Sequence, residues 1–163
     1  TKLHYSKHDL REMLETMSAG WRLPEGIEFV LEADAPVPPI PLDRDKIEQV
    51  LTNLVNNAVE AMQGKGALRI TVSQVNNPPF LDERAIVSNE FARISVIDTG
   101  PGIDEADVPH LFEPFFTTKK GGTGLGLAVS KRIIKEAGGT LELLKTENGT
   151  TFRITIPIPR SDI

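Results

Sequence analysis

Three stretches of the chain repeat apolar residues every three or four positions, and five others read as strands. The clearest helical pattern starts after Asp43, a good N-cap, and runs to about Gly64. Ile47, Val50, Leu51, Leu54, Val55, Ala58, Val59 and Met62 form one stripe along it. A shorter helix is predicted over residues 8–19, with Leu10, Met13, Leu14 and Met17 on its apolar side. A third covers 124–137 and is closed by Gly138-Gly139. Strands are predicted at 27–33, 67–73, 91–98, 140–144 and 150–156, the second and third of them alternating apolar and polar residues. Asn148-Gly149 sits between the last two and reads as a hairpin turn. The proline-dense run "APVPPIPLD" is extended or turn structure. Residues 75–90 read as a polar loop, 99–104 as a Gly/Pro turn and 105–122 as irregular. Helices alternate with strands but the last strands come as a hairpin. The pattern therefore predicts an α+β fold, a two-layer α/β sandwich with one mixed sheet covered on one face by helices.

Composition narrows the function classes. The 163 residues suit one domain with a real core, and a net charge of −5 argues against a nucleic-acid or anionic-membrane partner. Without cysteine the chain has no disulfide and no thiolate metal site, which fits a cytoplasmic protein. No apolar run reaches the roughly 18 residues of a membrane span, and no signal-peptide pattern opens the chain. It starts without Met, in what reads as the tail of a helix, so a piece of a longer protein is expected.

Four stretches carry candidate chemistry. On the long helix, Lys46, Gln49, Asn53, Asn57 and Glu60 share a stripe opposite the apolar face. Two asparagines four apart inside a helix go against propensity. Either the stripe is merely solvated, or Asn53 and Asn57 face a cleft where carboxamides orient a metal-bound triphosphate. "DTGPGI" (98–103) puts a carboxylate at a strand end, placed to accept from an exocyclic amine such as adenine's. Its glycines permit the turn that follows. "GGTGLGL" (121–127) fits neither common phosphate fingerprint. The dinucleotide pattern fails at Leu127 or Val129, and no Lys-Ser/Thr follows for a P-loop. What remains is a glycine-rich helix start whose N–H groups and dipole favour an anion, with Lys119 and Lys120 just before it. "HLFEPFFTTKK" (110–120) reads as a lid with aromatic anchors, cations and glycine hinges.

In order and spacing, these four stretches resemble the N box, first glycine box, F box and second glycine box of the ATP-binding catalytic domain of sensor histidine kinases. That domain belongs to the ATPase superfamily shared with gyrase, Hsp90-type chaperones and MutL. "PFFTTK…GTGLGL" is most similar to the nitrogen-regulation branch, and the resemblance covers roughly residues 25–158. It implies ATP and Mg²⁺ as cofactors, with Asn57 on the metal and Asn53 beside the phosphates. Asp98 would hold the adenine amine, with Gly100, Gly102 and Ile103 around the base. Lys119, or Lys120, would reach the terminal phosphate, and Gly122, Thr123, Gly124, Leu125 and Gly126 would cradle the phosphate chain. Many such kinases carry a cation three positions after the metal asparagine, where this chain has Glu60.

Hydrolytic relatives place a glutamate base where this chain has Asn53, which cannot take a proton from water. Transfer to a better nucleophile, a histidine nitrogen, is therefore implied. "HDLR" (8–11) superficially matches a phosphoacceptor box, but His8 precedes Asn57 by only 49 residues and a strand follows almost at once. No catalytic residue is assigned within this chain. Residues 1–24 are read as the end of a dimerisation-domain linker with the first helix, and 25–163 as the catalytic domain. The implied partners are that histidine-bearing dimerisation domain and a response regulator. A monomeric piece of a homodimeric parent, without membrane contact of its own, is expected. Alternatives are an anti-sigma-factor-type serine kinase and a degenerate ATP-binding docking module.

Overall fold

Asp43 ends one short strand and starts the longest helix. Its carboxylate accepts a hydrogen bond from the Lys46 amide (3.3 Å), and the helix then runs from Arg44 to Met62. In the computed structural model, which describes residues 5–33, 35–76, 89–145 and 148–159, the chain follows this order. Strand β1 (Tyr5–His8) and helix α1 (Leu10–Ala19) precede β2 (Ile27–Glu32), β3 (Ile40–Asp43) and α2 (Arg44–Met62). Then come β4 (Gly66–Asn76), β5 (Glu90–Asp98), a 3-10 turn at Val108–His110 and α3 (Gly126–Glu136). Strands β6 (Thr140–Lys145) and β7 (Thr150–Ile158) close the order.

Five strands form one mixed sheet in the order β2-β4-β5-β7-β6, with β2 parallel to β4 and the other pairs antiparallel. On β5, Ala92, Ile94, Val96 and Asp98 point to the helical side and are buried. They meet the stripe of α2 and, from α3, Ile133 and Ile134, in a core that also takes Leu10, Met13 and Leu14 of α1. Helices thus cover one face of the sheet, as the periodicities predict. Asn148 and Gly149 both adopt positive φ (55° and 132°) just before β7.

Three readings change. Residues 5–8 are not the tail of a helix. They form a strand paired antiparallel with β3, Tyr5 opposite Asp43 and His8 opposite Ile40. The proline-dense run therefore ends in a strand, and Pro41 is tolerated because a two-stranded ribbon leaves N–H positions unpaired. The polar loop is shorter than predicted: residues 75–76 extend β4 and Glu90 opens β5, while 77–88, with the Pro-Pro pair, lie outside the described residues. Finally, α3 starts at Gly126 rather than at residue 124, with Leu125 at its N-cap. Among the described residues no helix is long and apolar enough to cross a membrane.

Candidate functional site

The ends of α2 and β5, the 104–125 loop and the start of α3 enclose a cleft of about 720 Å³, in the range of small-molecule sites. Residues from all four sequence stretches line it: Asn53, Asn57 and Glu60 from α2, Asp98 at the end of β5 with Gly102 and Ile103 just beyond it, Lys119 and Lys120 from the lid, and Gly122, Thr123, Gly124 and Gly126 at the helix start. The rest of the α2 stripe does not converge there. Lys46 faces a separate small crevice beside Tyr5, and Gln49 is exposed.

Asp98 is 6% exposed, at the last residue of β5. Its Oδ1 accepts from the amides of Gly100 (2.9 Å) and Thr150 (3.3 Å), and among the described residues no hydrogen bond reaches Oδ2. One oxygen is thus locked by the backbone while the other is left to accept from a ligand donor. Burial pushes the carboxyl above the ordinary aspartate range, against the opposing pull of the two amides. Gly100 itself does not line the cleft; it backs onto Ala61 and serves as a donor to Asp98.

Asn53 Nδ2 donates to Ser130 Oγ of α3 (3.3 Å), so this asparagine ties α2 to α3. A side chain on Gly126 would lie 2.3 Å from Asn53 Oδ1, so any larger residue there would displace that carboxamide. The first turn of α3 carries N–H groups without intrahelical partners. Leu125 is turned outward, 37% exposed, and its amide donates to Thr123 Oγ1 (3.3 Å).

The lid is held at three points. Phe112 packs edge-to-face on Phe152 of the core, with Lys131 Nζ 4.2 Å above its ring. The Phe115 amide donates to Gly124 O (2.9 Å) and closes the loop at its base. Lys119 Nζ donates to Asn57 Oδ1 (2.7 Å) and lies 2.5 Å from Glu60 Oε2. The aromatic-anchor reading is only partly right: Phe115 is 75% exposed at φ +69°, whereas Phe116 lines the cleft.

The fit to a divalent cation rests on Asn57. Its Oδ1 is a hard oxygen facing the cleft, and a cation, the Lys119 ammonium, already sits against it. Among the described residues no group of three His, Asp or Glu ligands exists, so a metal there would need oxygens from a bound phosphate compound.

Sequence reasoning missed two contributors. Thr150 helps lock Asp98, and only the folded hairpin brings it there. Glu60 reads in the sequence as one of the polar stripe of α2 and as a departure from the family pattern, and it proves to be the lid's ion-pair partner. His8 is not a cleft residue. It lies in β1, its Nε2 2.7 Å from Ser6 Oγ, and His110 Nδ1 lies 3.1 Å from Glu113. His4 is outside the described residues.

Comparison with known proteins adds to this geometry. The family described as histidine kinase-, DNA gyrase B-, and HSP90-like ATPase matches residues 42–160. The signal transduction histidine-protein kinase AtoS of Escherichia coli K12 is 38% identical over 81% of this chain and 20% of its own length. The sensory histidine kinase/phosphatase NtrB of Rhizobium meliloti is 38% identical over 76% of this chain and 33% of its own. The catalytic domain of histidine kinase ThkA, in a nucleotide-free form, superposes with a TM-score of 0.74 at 32% identity. That alignment covers 95% of this chain and 96% of ThkA's. The chain thus spans between a fifth and a third of the length of these two curated relatives.

Proposed function

Because the chain belongs to the histidine kinase-, DNA gyrase B- and HSP90-like ATPase family, as the catalytic domain of a two-component sensor histidine kinase, we propose that its cleft holds Mg²⁺-ATP for transfer of the γ-phosphoryl group to a histidine. The observation that supports this most is the convergence on one cleft of residues from four separated stretches. Among the relatives, full-length ShkA (29% identical, TM-score 0.76) is known in complex with AMPPNP. ThkA is known in complex with the response regulator protein TrrA.

In this reading Asp98 Oδ2 accepts from the adenine amine, with Gly102 and Ile103 along the base. Asn57 Oδ1 holds the metal, which when bound neutralises charge across the phosphates. Asn53 lies beside the phosphates, the amides of Thr123, Gly124 and Gly126 receive the phosphate oxygens, and Lys119 reaches the terminal one. Leu125 contributes by ending the lid, its side chain turned away. A histidine nitrogen attacks the γ-phosphorus in line, the bond to the bridging oxygen breaks, and ADP leaves. Asn53, where a base for water would stand, cannot take a proton, so transfer outpaces hydrolysis. The acceptor is a histidine on a dimerisation domain, and a response regulator receives the group afterwards. Activity in the cytoplasm is part of this proposal. The relatives named give no support to a serine kinase or an inert docking module.

The test is calorimetric titration with AMPPNP, with magnesium and with excess EDTA. Binding in the micromolar-to-millimolar range, at least about tenfold weaker without metal, is expected for a site completed by one protein oxygen. Absence of binding under both conditions overturns the reading.

A further inference from the structure

Among the described residues, Lys119 is the lid side chain that makes a hydrogen bond and an ion pair to α2. Lys119 is set in a turn fixed at both ends: its amide donates to Thr117 Oγ1 (3.0 Å) and its carbonyl accepts from the Gly122 amide (3.1 Å). From that turn the ammonium reaches across the cleft mouth to Asn57 Oδ1 and Glu60 Oε2. Asn57 and Glu60 lie three residues apart on α2, neighbours on one face of the helix, so a single cation meets both. The two contacts differ in kind. Asn57 offers a neutral oxygen that a divalent cation would contest, whereas Glu60 offers a carboxylate whose charge opposes any phosphate entering the cleft.

We propose that Glu60 is a positioning residue for Lys119. It holds the lid against α2 before nucleotide arrives and keeps the ammonium at the cleft mouth once Asn57 is given up to the metal. This rests on the Mg²⁺-ATP reading. Two cations cannot share Asn57 Oδ1 at hydrogen-bond distance, so the ammonium leaves that oxygen when a metal takes it. Glu60, one turn farther on, retains it beside the terminal phosphate. The lysine in turn screens Glu60 from the phosphates. The carboxylate that looks misplaced in a triphosphate site is then the counter-charge of the lid.

The experiment is a double-mutant cycle on the same fragment with two readouts: hydrogen exchange of residues 117–122 without nucleotide, and affinity for AMPPNP with magnesium. In exchange, Glu60→Gln and Lys119→Met each speed these amides about threefold, the scale of an exposed ion pair, and leave α2 unchanged. In binding, Lys119→Met weakens affinity about tenfold, because a charged hydrogen-bond donor is lost and Glu60 is left facing the phosphates. Glu60→Gln alone weakens it about threefold, because the ammonium is no longer held at the cleft mouth; the Lys119→Met/Glu60→Gln pair also weakens it only about threefold, where additive effects would give about thirtyfold, and Lys119→Arg keeps the coupling. Additive effects on affinity overturn the positioning role whatever exchange shows, and unchanged exchange in both single variants overturns the tether. If the unmodified fragment fails to bind AMPPNP, the nucleotide reading falls by itself, and exchange alone then decides whether Glu60 holds the lid.

Discussion

The two walls of the cleft are built from different materials. One is regular structure: α2 and the end of β5 present Asn57 and Asp98 from backbones buried against Leu54, Ala58 and Val96. The other, residues 104–125, is a chain of turns whose contact with the core runs mainly through Phe112 and whose shape depends on positive φ at Phe115, Gly121 and Gly124. The first wall sets its side chains on packed regular structure; the second takes its shape from turns with little core contact. Apart from Glu60, whose carboxylate pairs with the lid, substitutions on the first should change chemistry at constant lid geometry, and those on the second should change lid geometry at constant stability.

The largest effect should come from Asp98→Asn. The new side chain can still accept from the Gly100 and Thr150 amides, but it turns an amide nitrogen to the cleft, where a donor is expected to arrive. Two donors facing each other in a buried site should weaken AMPPNP binding on the order of 10- to 100-fold. Stability should move the other way. The folded-state pKa of Asp98 is raised by burial, so the folded chain holds this proton more tightly than the unfolded one. The ionised carboxylate therefore costs stability once pH rises past the ordinary aspartate value towards the raised one, and that cost persists above both. The Asn variant should melt higher than the parent at pH 7, with the gap closing as pH falls below that window. An Asn variant that binds normally would remove Asp98 from the recognition of the base.

Gly124→Ala tests the lid wall and should have a smaller effect. Gly124 has φ +73°, and a side chain there would lie 2.3 Å from the Phe115 carbonyl carbon. The 115–124 closure must open to admit it, at a local strain of about 1–3 kcal/mol. Because this part of the loop contributes no fully buried apolar residue, the strain should appear in affinity, about tenfold weaker, with the melting temperature nearly unchanged. Comparable losses in both would mean that the lid is part of the cooperative fold.

The division between the walls also explains what the sequence could reveal. Helix α2 was legible because its apolar positions keep a 3.6-residue period for five turns and Asp43 caps it. Asn53 and Asn57 stood out because asparagine is out of place in such a helix. The sheet was legible from alternation on β4 and β5. Strand β1 was not: its residues are exposed or half-buried, without apolar alternation, and pairing with β3 alone makes it a strand. The Glu60–Lys119 pair was also out of reach. Each residue carried a signal, but their meeting depends on turns whose path no periodicity encodes. The three phenylalanines look alike in sequence, yet one anchors, one is exposed and one lines the cleft, because Phe115 alone takes a left-handed backbone.

The finest test separates torsion from space within the lid. Gly121 has φ +80°, nearly the torsion of Gly124, but a side chain added to it meets nothing within 4 Å. Gly121→Ala therefore imposes the left-handed penalty of roughly 1–2 kcal/mol without a collision. Part of that penalty can be relieved, because the turn beside it is pinned mainly by the bond from the Gly122 amide to Lys119 O. AMPPNP affinity should fall no more than about threefold, and exchange should quicken only at 119–123. If Gly121→Ala matched Gly124→Ala in affinity, the lid's cost would be torsional throughout and the closure at Phe115 incidental. If it had a small effect while Gly124→Ala had a large one, the Phe115–Gly124 contact would be the element that gives this otherwise irregular wall its shape.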